Sequence, residues 1–387
     1  MKTVIIGGGV IGLSLAYELA TRGHQVVLLE KQKFGRKASW AGAGMLSPTN
    51  RSTAIHPLEH LEALSHQVHA EWSKRLESET GINNGFRKCG GLYMARTAGE
   101  VAALAGLKSE WRERQIEFQD LELVEIKNRF RPFSMCRSGS TIAQASWVPG
   151  QAQFSTPDHI RALIAACHEL GVSMHEELGD VEIVRANHTV EAVKAGTQDF
   201  TGDIYVLAAG PWTEQLVEGW EFSLPMQPVR GQIALYKINL EDGSDGQSIA
   251  SGPIVNEGSR YLVPRTDGHV LAGATIEEVG FDCRPTENEV KGLRKWAESV
   301  SEELNESTFV KSWAGLRPGT YDGFPYMGRL EGASNAFVST GHFKGGLHLS
   351  TGAAVVMADL FEGKKCEVDI KLFSPSRVLD HQSIDNK

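Results

Sequence analysis

The feature that most constrains the fold of this chain is the segment KTVIIGGGVIGLSLAYELATRGHQVVLLEK, residues 2–31. The apolar run Val4-Ile5-Ile6 reads as a buried parallel strand. Gly7, Gly9 and Gly12 follow in GxGxxG spacing, and an apolar helical pattern opens at once with Val10 and Ile11. A second apolar run, Val26 to Leu29, ends at Glu30-Lys31. Strand, glycine turn, helix and strand in this order make a nucleotide-binding unit of a doubly wound sheet. Gly7 serves the tight turn, Gly9 lets a pyrophosphate approach the backbone, and Gly12 lets helix and strand pack closely. The helix N-terminus offers amides and the positive end of its dipole to phosphate. Glu30, eighteen residues after Gly12, is spaced to accept hydrogen bonds from a ribose. An ordinary glycine-rich turn would need neither the flanking strands nor the acid.

The rest of the composition narrows the partners. A length of 387 residues implies two domains, and 41% apolar residues is ordinary for a globular protein. The net charge of −9 argues against nucleic acid or an anionic membrane as the main partner. Cys89, Cys136, Cys167, Cys283 and Cys366 are scattered and form no CxxC pair, so neither a zinc site nor a disulfide framework is expected. That usage fits a reducing compartment. Glu18 and Arg22 interrupt the first apolar run before membrane length, and no other segment approaches a span, so a cytoplasmic location is expected.

Along the chain, the small, glycine-rich stretch 35–48 suits a loop passing close to a ligand. Leu58, Leu61, Leu64, Val68, Trp72 and Leu76 repeat at helical spacing, and Gly81 can close that helix. His60, His66 and His69 on or near it lack a metal-ligand pattern, and no metal is expected. Residues 86–95 read as a strand or hairpin edge, 97–129 as charged helix, and 157–170 as an amphipathic helix. Ile204 to Leu207 form another buried strand, ending in Ala208-Ala209-Gly210-Pro211. Ligands sit at such carboxyl ends of strands. Residues 226–281 alternate as antiparallel strands, followed by a helix at 287–304. The fold class is therefore α/β (α+β overall). A discontinuous, Rossmann-like cofactor domain is expected over residues 1–85, 145–222 and 318–370. An antiparallel-sheet substrate domain is expected over 86–144 and 223–317, with 371–387 as a C-terminal tail.

Several blocks together carry a resemblance. GGGVIG with Glu30, ASWAGAGML at 38–46, LAAGPWT at 207–213 and GHFKGG at 341–346 resemble the FAD site of the D-amino-acid oxidase superfamily. YLVPR at 261–265, LAGAT at 271–275 and WAGLRPGTYDGFPYMGR at 313–329 resemble glycine oxidases of the thiamine-biosynthesis type. The resemblance spans essentially the whole chain. It implies an FAD site that adds Lys31, Ser39, Ala41, Gly42, Gly44 and Met45 to the first turn, with Val181 at the adenine. Ala209, Gly210 and Trp212 belong to the second cofactor strand, and His342, Phe343, Lys344, Gly345, Gly346 and Leu347 lead into the last helix. That helix's dipole would favour negative charge on the reduced ring. Residues 314–316 are Ala-Gly-Leu and 40–42 are Trp-Ala-Gly, without a cysteine or histidine for covalent attachment, so FAD is expected to be non-covalent.

On the substrate side the resemblance implies Arg317 and Tyr261. A guanidinium between Leu316 and Pro318 can grip a carboxylate with two parallel hydrogen bonds, and Arg317 also borders the cofactor. Its alternative is a structural arginine paired with an acid such as Asp322; for Tyr261 it is a core tyrosine. Ile276 stands where those glycine oxidases often carry methionine, and Lys344 where they commonly carry arginine; both are expected on the substrate side. The implied reaction removes a hydride from a small amino acid, hydrolyses the imine and forms hydrogen peroxide from dioxygen. No catalytic group beyond the flavin is evident. The resemblance also allows a homo-oligomer. Rival readings are a D-amino-acid dehydrogenase or sarcosine-type oxidase on the same fold, an NAD-dependent dehydrogenase, and a non-catalytic flavoprotein subunit.

Overall fold

The computed structural model describes residues 1–130, 142–240 and 248–377. Cys136 and residues 378–387 of the expected tail lie outside them.

The first apolar run becomes strand Lys2–Ile6, whose Val4 and Ile5 are fully buried. It pairs in parallel with Gln25–Leu29 on one side and Ile204–Leu207 on the other. Ser173–His175 and Ala336–Thr340 extend the sheet in parallel, and Tyr326–Arg329 closes one edge antiparallel. Strand alternation sorts its side chains between two cores. Ile5, Leu28, Val206 and Phe337 join helices Val10–Thr21, Pro57–Thr80, Thr156–Glu169 and Gly346–Phe361. Val4, Ile6, Tyr205 and Val338 pack with Val190 and Val193 of a small antiparallel sheet, Glu182–Ala186, Thr189–Ala195 and Gln198–Phe200. The long helix Pro57–Thr80 opens with a capping box between His56 and Glu59 and ends at left-handed Gly81, φ 71°.

The second half is an eight-stranded sheet in the order Phe309–Gly319, Gln227–Lys237, His269–Gly273, Arg260–Pro264, Ile254–Glu257, Gly91–Ala95, Gln144–Val148, Gln119–Asp120. Its pairs are antiparallel except Ile254–Glu257 with Gly91–Ala95. Trp296, Ala297 and Val300 of helix Glu287–Val300 pack against Ala234, Tyr236, Leu262 and Val270 of the sheet. That helix stops four residues before 304, because Ser301 turns extended. The charged stretch 97–129 is two helices, Ala98–Glu113 and Leu123–Arg129, around the edge strand Gln119–Asp120. The chain leaves the first of them at Gln115, φ 47°.

Strands of the eight-stranded sheet run across the boundaries that composition suggests. Position 145 falls inside Gln144–Val148, which pairs with Gly91–Ala95 in the eight-stranded sheet. Position 317 falls inside Phe309–Gly319, which runs from that sheet to the cofactor side. No linker marks either crossing. Among the described residues, no helix is long and apolar enough to cross a membrane.

Candidate active site

A cavity of about 530 Å³ opens where Lys2–Ile6, Ile204–Leu207 and Ala336–Thr340 end. Gly7 turns the chain at φ +113°, and a Cβ there would collide with the Ala208 carbonyl. A Cβ at Gly12 would collide with the Gly7 carbonyl oxygen, so that glycine sits behind the turn and off the cavity wall. The first helix begins at Val10, capped by the backbone of Gly9 alone, with the Val10 amide donating to Ser39 Oγ at 2.8 Å. Glu30 also reaches the cavity. Its carboxylate accepts from the Gly8 and Gln32 amides, both at 2.8 Å, so it braces the turn as well as lining the cavity.

The wall brings together Gly7, Gly9, Val10, Ile11, Glu30, Lys31, Ser39, Gly42, Val181, Ala209, Gly210, Trp212, Arg317, His342, Phe343, Lys344, Gly346 and Leu347. Seven sequence candidates do not line it: Gly12, Ala41, Gly44, Met45, Gly345, Tyr261 and Ile276. Each has a local reason. Ala41 fills the space above Gly315 of the long strand, so a Cβ at Gly315 would strike it. Gly44, φ +67°, lies against the Phe154 carbonyl. Met45 pairs with Gln153, and Gly345 packs on Leu349. Tyr261 lies over Gly273 within an apolar cluster that includes Ala43 and Val263. Ile276 is 49% exposed on the loop beyond Thr275.

Sequence reasoning also misses part of the wall. Lys33, Arg36 and Lys37 join Lys31 there, and the run KQKFGRK directly after Glu30 is their sequence signal. Lys31 is tied to Asp180; Lys33, Arg36 and Lys37 make no ion pair among the described residues. Ser339, Thr340 and Gln215 line the wall without any motif to announce them.

At one side of the cavity stands Arg317. Its Nη1 donates to the Thr275 carbonyl at 3.1 Å and the Arg230 carbonyl at 3.3 Å. Its guanidinium lies flat over Gly231, where any Cβ would collide with it. Among the described residues no carboxylate pairs with it. Asp322 is held instead by Arg377, at 2.7 Å. Burial lowers the pKa of Arg317, while nearby Tyr261 and Glu277 act the other way. Burial pushes the Tyr261 phenol up to about 12, so it stays protonated and able to donate. Burial lowers Lys344, and Arg317 adds to that shift by repulsion.

The cavity fits a dinucleotide flavin on structural grounds. The glycine turn forms a cradle that side chains would fill. His342, 4% exposed on the wall, has both ring nitrogens without a partner among the described residues, and burial pushes it down to about 3. A buried imidazole left this way calls for polar atoms from a bound group. The basic rim suits phosphate.

Residues 2–360 match the family of FAD-dependent oxidoreductases, and the chain belongs to that family. It is a flavoenzyme with FAD as cofactor. The chain is 32% identical to the glycine oxidase of Pseudomonas aeruginosa over 97% of its own length and 98% of that protein. It is 30% identical to the bifunctional protein ThiO/ThiG of Trichormus variabilis, covering 97% of this chain and 54% of the longer one. The crystal structure of glycine oxidase from Geobacillus kaustophilus superposes with a TM-score of 0.86 at 29% identity, over 97% of this chain and 98% of that one.

Proposed function

We propose that the protein oxidises glycine or another small amino acid, sarcosine included, to an imine that hydrolyses to a 2-oxo acid and ammonia (methylamine from sarcosine), with hydrogen peroxide formed from dioxygen. The observation that carries this reading is Arg317: a largely buried guanidinium on the cofactor cavity, unpaired with any described carboxylate. Nη1 is spent on two carbonyls, which leaves Nη2 and Nε for a substrate carboxylate. Tyr261, protonated beside it, supplies a second donor to that carboxylate. These two contacts orient the Cα–H bond, and orientation is the main contribution the chain makes. Bound FAD supplies the hydride acceptor and the route of electrons to dioxygen.

Around the cofactor, the Gly7–Gly12 turn holds the pyrophosphate, Glu30 the ribose and Val181 the adenine side. Ser39, Gly42 and the His342–Leu347 segment hold the ring. Strand membership supports a two-domain division in which 144–148 belongs with the substrate sheet. The four free cysteines among the described residues suit a reducing cytoplasm.

The test is anaerobic bleaching of the flavin by glycine, sarcosine, D-alanine and D-phenylalanine, followed by a peroxide assay on admitting air. Bleaching by the small amino acids and stoichiometric peroxide are expected. Bleaching without peroxide would make the protein a dehydrogenase, and no bleaching by any amino acid would end the reading.

A further inference from the structure

The two carbonyls that aim Arg317 belong to Arg230 and Thr275, and both residues are tied to Glu277. Arg230 and Glu277 form an isolated antiparallel bridge, with amide-to-carbonyl distances of 2.8 and 3.0 Å. Their side chains repeat the connection, Arg230 Nη2 donating to Glu277 Oε2 at 2.6 Å. The other oxygen, Glu277 Oε1, accepts from Gln232 Nε2 at 2.8 Å and from the Thr275 hydroxyl at 2.5 Å. Gln232 in turn clasps Thr286, its Oε1 accepting from the Thr286 amide and its Nε2 donating to Thr286 Oγ1. One carboxylate thus gathers three donors and fixes the Thr275–Glu277 end of the loop 275–286 against strand Gln227–Lys237, while Gln232 fixes the Thr286 end.

Arg317 rides on this assembly. The Arg230 carbonyl receives both the Glu277 amide and Arg317 Nη1, and the Thr275 carbonyl receives Arg317 Nη1 two residues before Glu277. A slip of the loop would move the Thr275 carbonyl away from the Arg230 carbonyl on the strand and split the pair of acceptors that aims Nη1. Gly231 beneath the guanidinium leaves no side chain to hold it otherwise. Glu277 also lies near enough for its charge to favour the protonated guanidinium.

We propose that Glu277 is a positioning residue for amino-acid binding: through Arg230, Gln232 and Thr275 it holds the two carbonyls that point Arg317 at the substrate carboxylate. This rests on the reading of Arg317 as the carboxylate grip. Glu277 touches neither substrate nor cofactor cavity in this role.

The experiment compares Glu277→Gln with the FAD-loaded wild type, using whichever small amino acid bleaches the wild type fastest. Glu277→Gln should raise the apparent KM about tenfold, change kcat less than twofold and leave flavin content unaltered. The diagnostic arm repeats the substitution in an Arg317→Lys background, where it should raise KM no further, because its effect passes through the arginine. Should Glu277→Gln fail to fold, Thr275→Val removes one of the three donors while keeping the ion pair, and about a threefold rise in KM is expected. An unchanged KM in a loaded variant, or a tenfold loss that persists in the Arg317→Lys background, overturns the proposal. A wild type that no amino acid bleaches defeats the underlying reading instead, so the two failures are distinct.

Discussion

The cofactor half and the amino-acid half of this enzyme are built by opposite means. Around the flavin cavity the backbone does most of the work: a glycine turn at φ +113°, a helix start and strand ends bring amides and carbonyls to the ligand. On the proposed amino-acid side the work would fall to side chains from three separate segments, Arg317, Tyr261 and the Glu277 network. A backbone site can tolerate little change at its glycines, since a Cβ has nowhere to go. A side-chain site can be retuned in small steps, since each contact is one of several. Within one family, cofactor identity should therefore change less readily than substrate.

Acid should separate the halves most widely. His69, His159, His342 and His348 lie in the cofactor half, each 5% exposed or less, and burial depresses all four, His69 to about 4. For such a group the unfolded state binds the proton first. Stability is whole above the ordinary histidine value of 6.5 and falls as pH drops from there towards the folded value. The slope is about 1.4 kcal/mol per pH unit for each histidine. In the amino-acid half, depressed carboxylates such as Glu277 and Asp267 lose their contribution only below the ordinary carboxylate range. Flavin fluorescence, which rises on release, should therefore grow between pH 6.5 and 4 before far-UV circular dichroism reports loss of the β-rich half. Full flavin retention with an unshifted melting temperature at pH 4 would refute the comparison.

Gly7→Ala should be the most damaging single change. It combines a strained positive φ with a collision at the Ala208 carbonyl, together more than about 3 kcal/mol. The purified variant should be colourless or insoluble. A yellow, stable Gly7→Ala protein would mean that the turn can relax, and the contrast between rigid and tunable halves would weaken.

Arg317→Ala should cost about 3 kcal/mol in kcat/KM while flavin content stays normal. The effect should appear mainly in KM. Unaltered kinetics would move the carboxylate to Lys344, the other cation that reaches the cavity wall near it.

The smallest effect is expected at Ile276. Half-exposed on its loop rather than on the described wall, it can influence selectivity only from the side. Ile276→Ala should improve D-alanine and larger D-amino acids relative to glycine by about 1 kcal/mol or less. A large change in kcat/KM for glycine itself would place Ile276 deeper in the site than its exposure suggests.

The same contrast explains what the amino-acid sequence reveals. The glycine turn, Glu30 and the strand ends at Ala209-Gly210 are legible because their function depends on local backbone shape, which residue spacing encodes directly. Arg317 is legible because a charge in an apolar block is anomalous. The partners that aim it are not: Arg230 and Glu277 meet only through the pairing of a strand with a loop 47 residues later, and neither lies in a motif. Lys33, Arg36 and Lys37 were open to reading as surface charge, and only the fold turns that run towards the cavity. The placement of the boundaries is hidden for a related reason. Gln144–Val148 and Phe309–Gly319 both belong to the eight-stranded sheet, and no change of composition marks where either strand leaves the expected domain.

The strand order of the parallel sheet carries a consequence for biosynthesis. Ile204–Leu207 sits between Lys2–Ile6 and Ala336–Thr340, and the cavity needs all three strand ends together with the start of helix Gly346–Phe361. A nascent chain therefore makes the Gly7–Gly12 turn well before strand Ala336–Thr340, and it cannot close the pocket until the start of helix Gly346–Phe361 has emerged. Contacts this distant in sequence form slowly. Flavin capture thus waits for the third strand, and until then the emerging chain is an apoprotein with an unfinished sheet edge, the stage at which chaperones and scarcity of FAD would decide its yield.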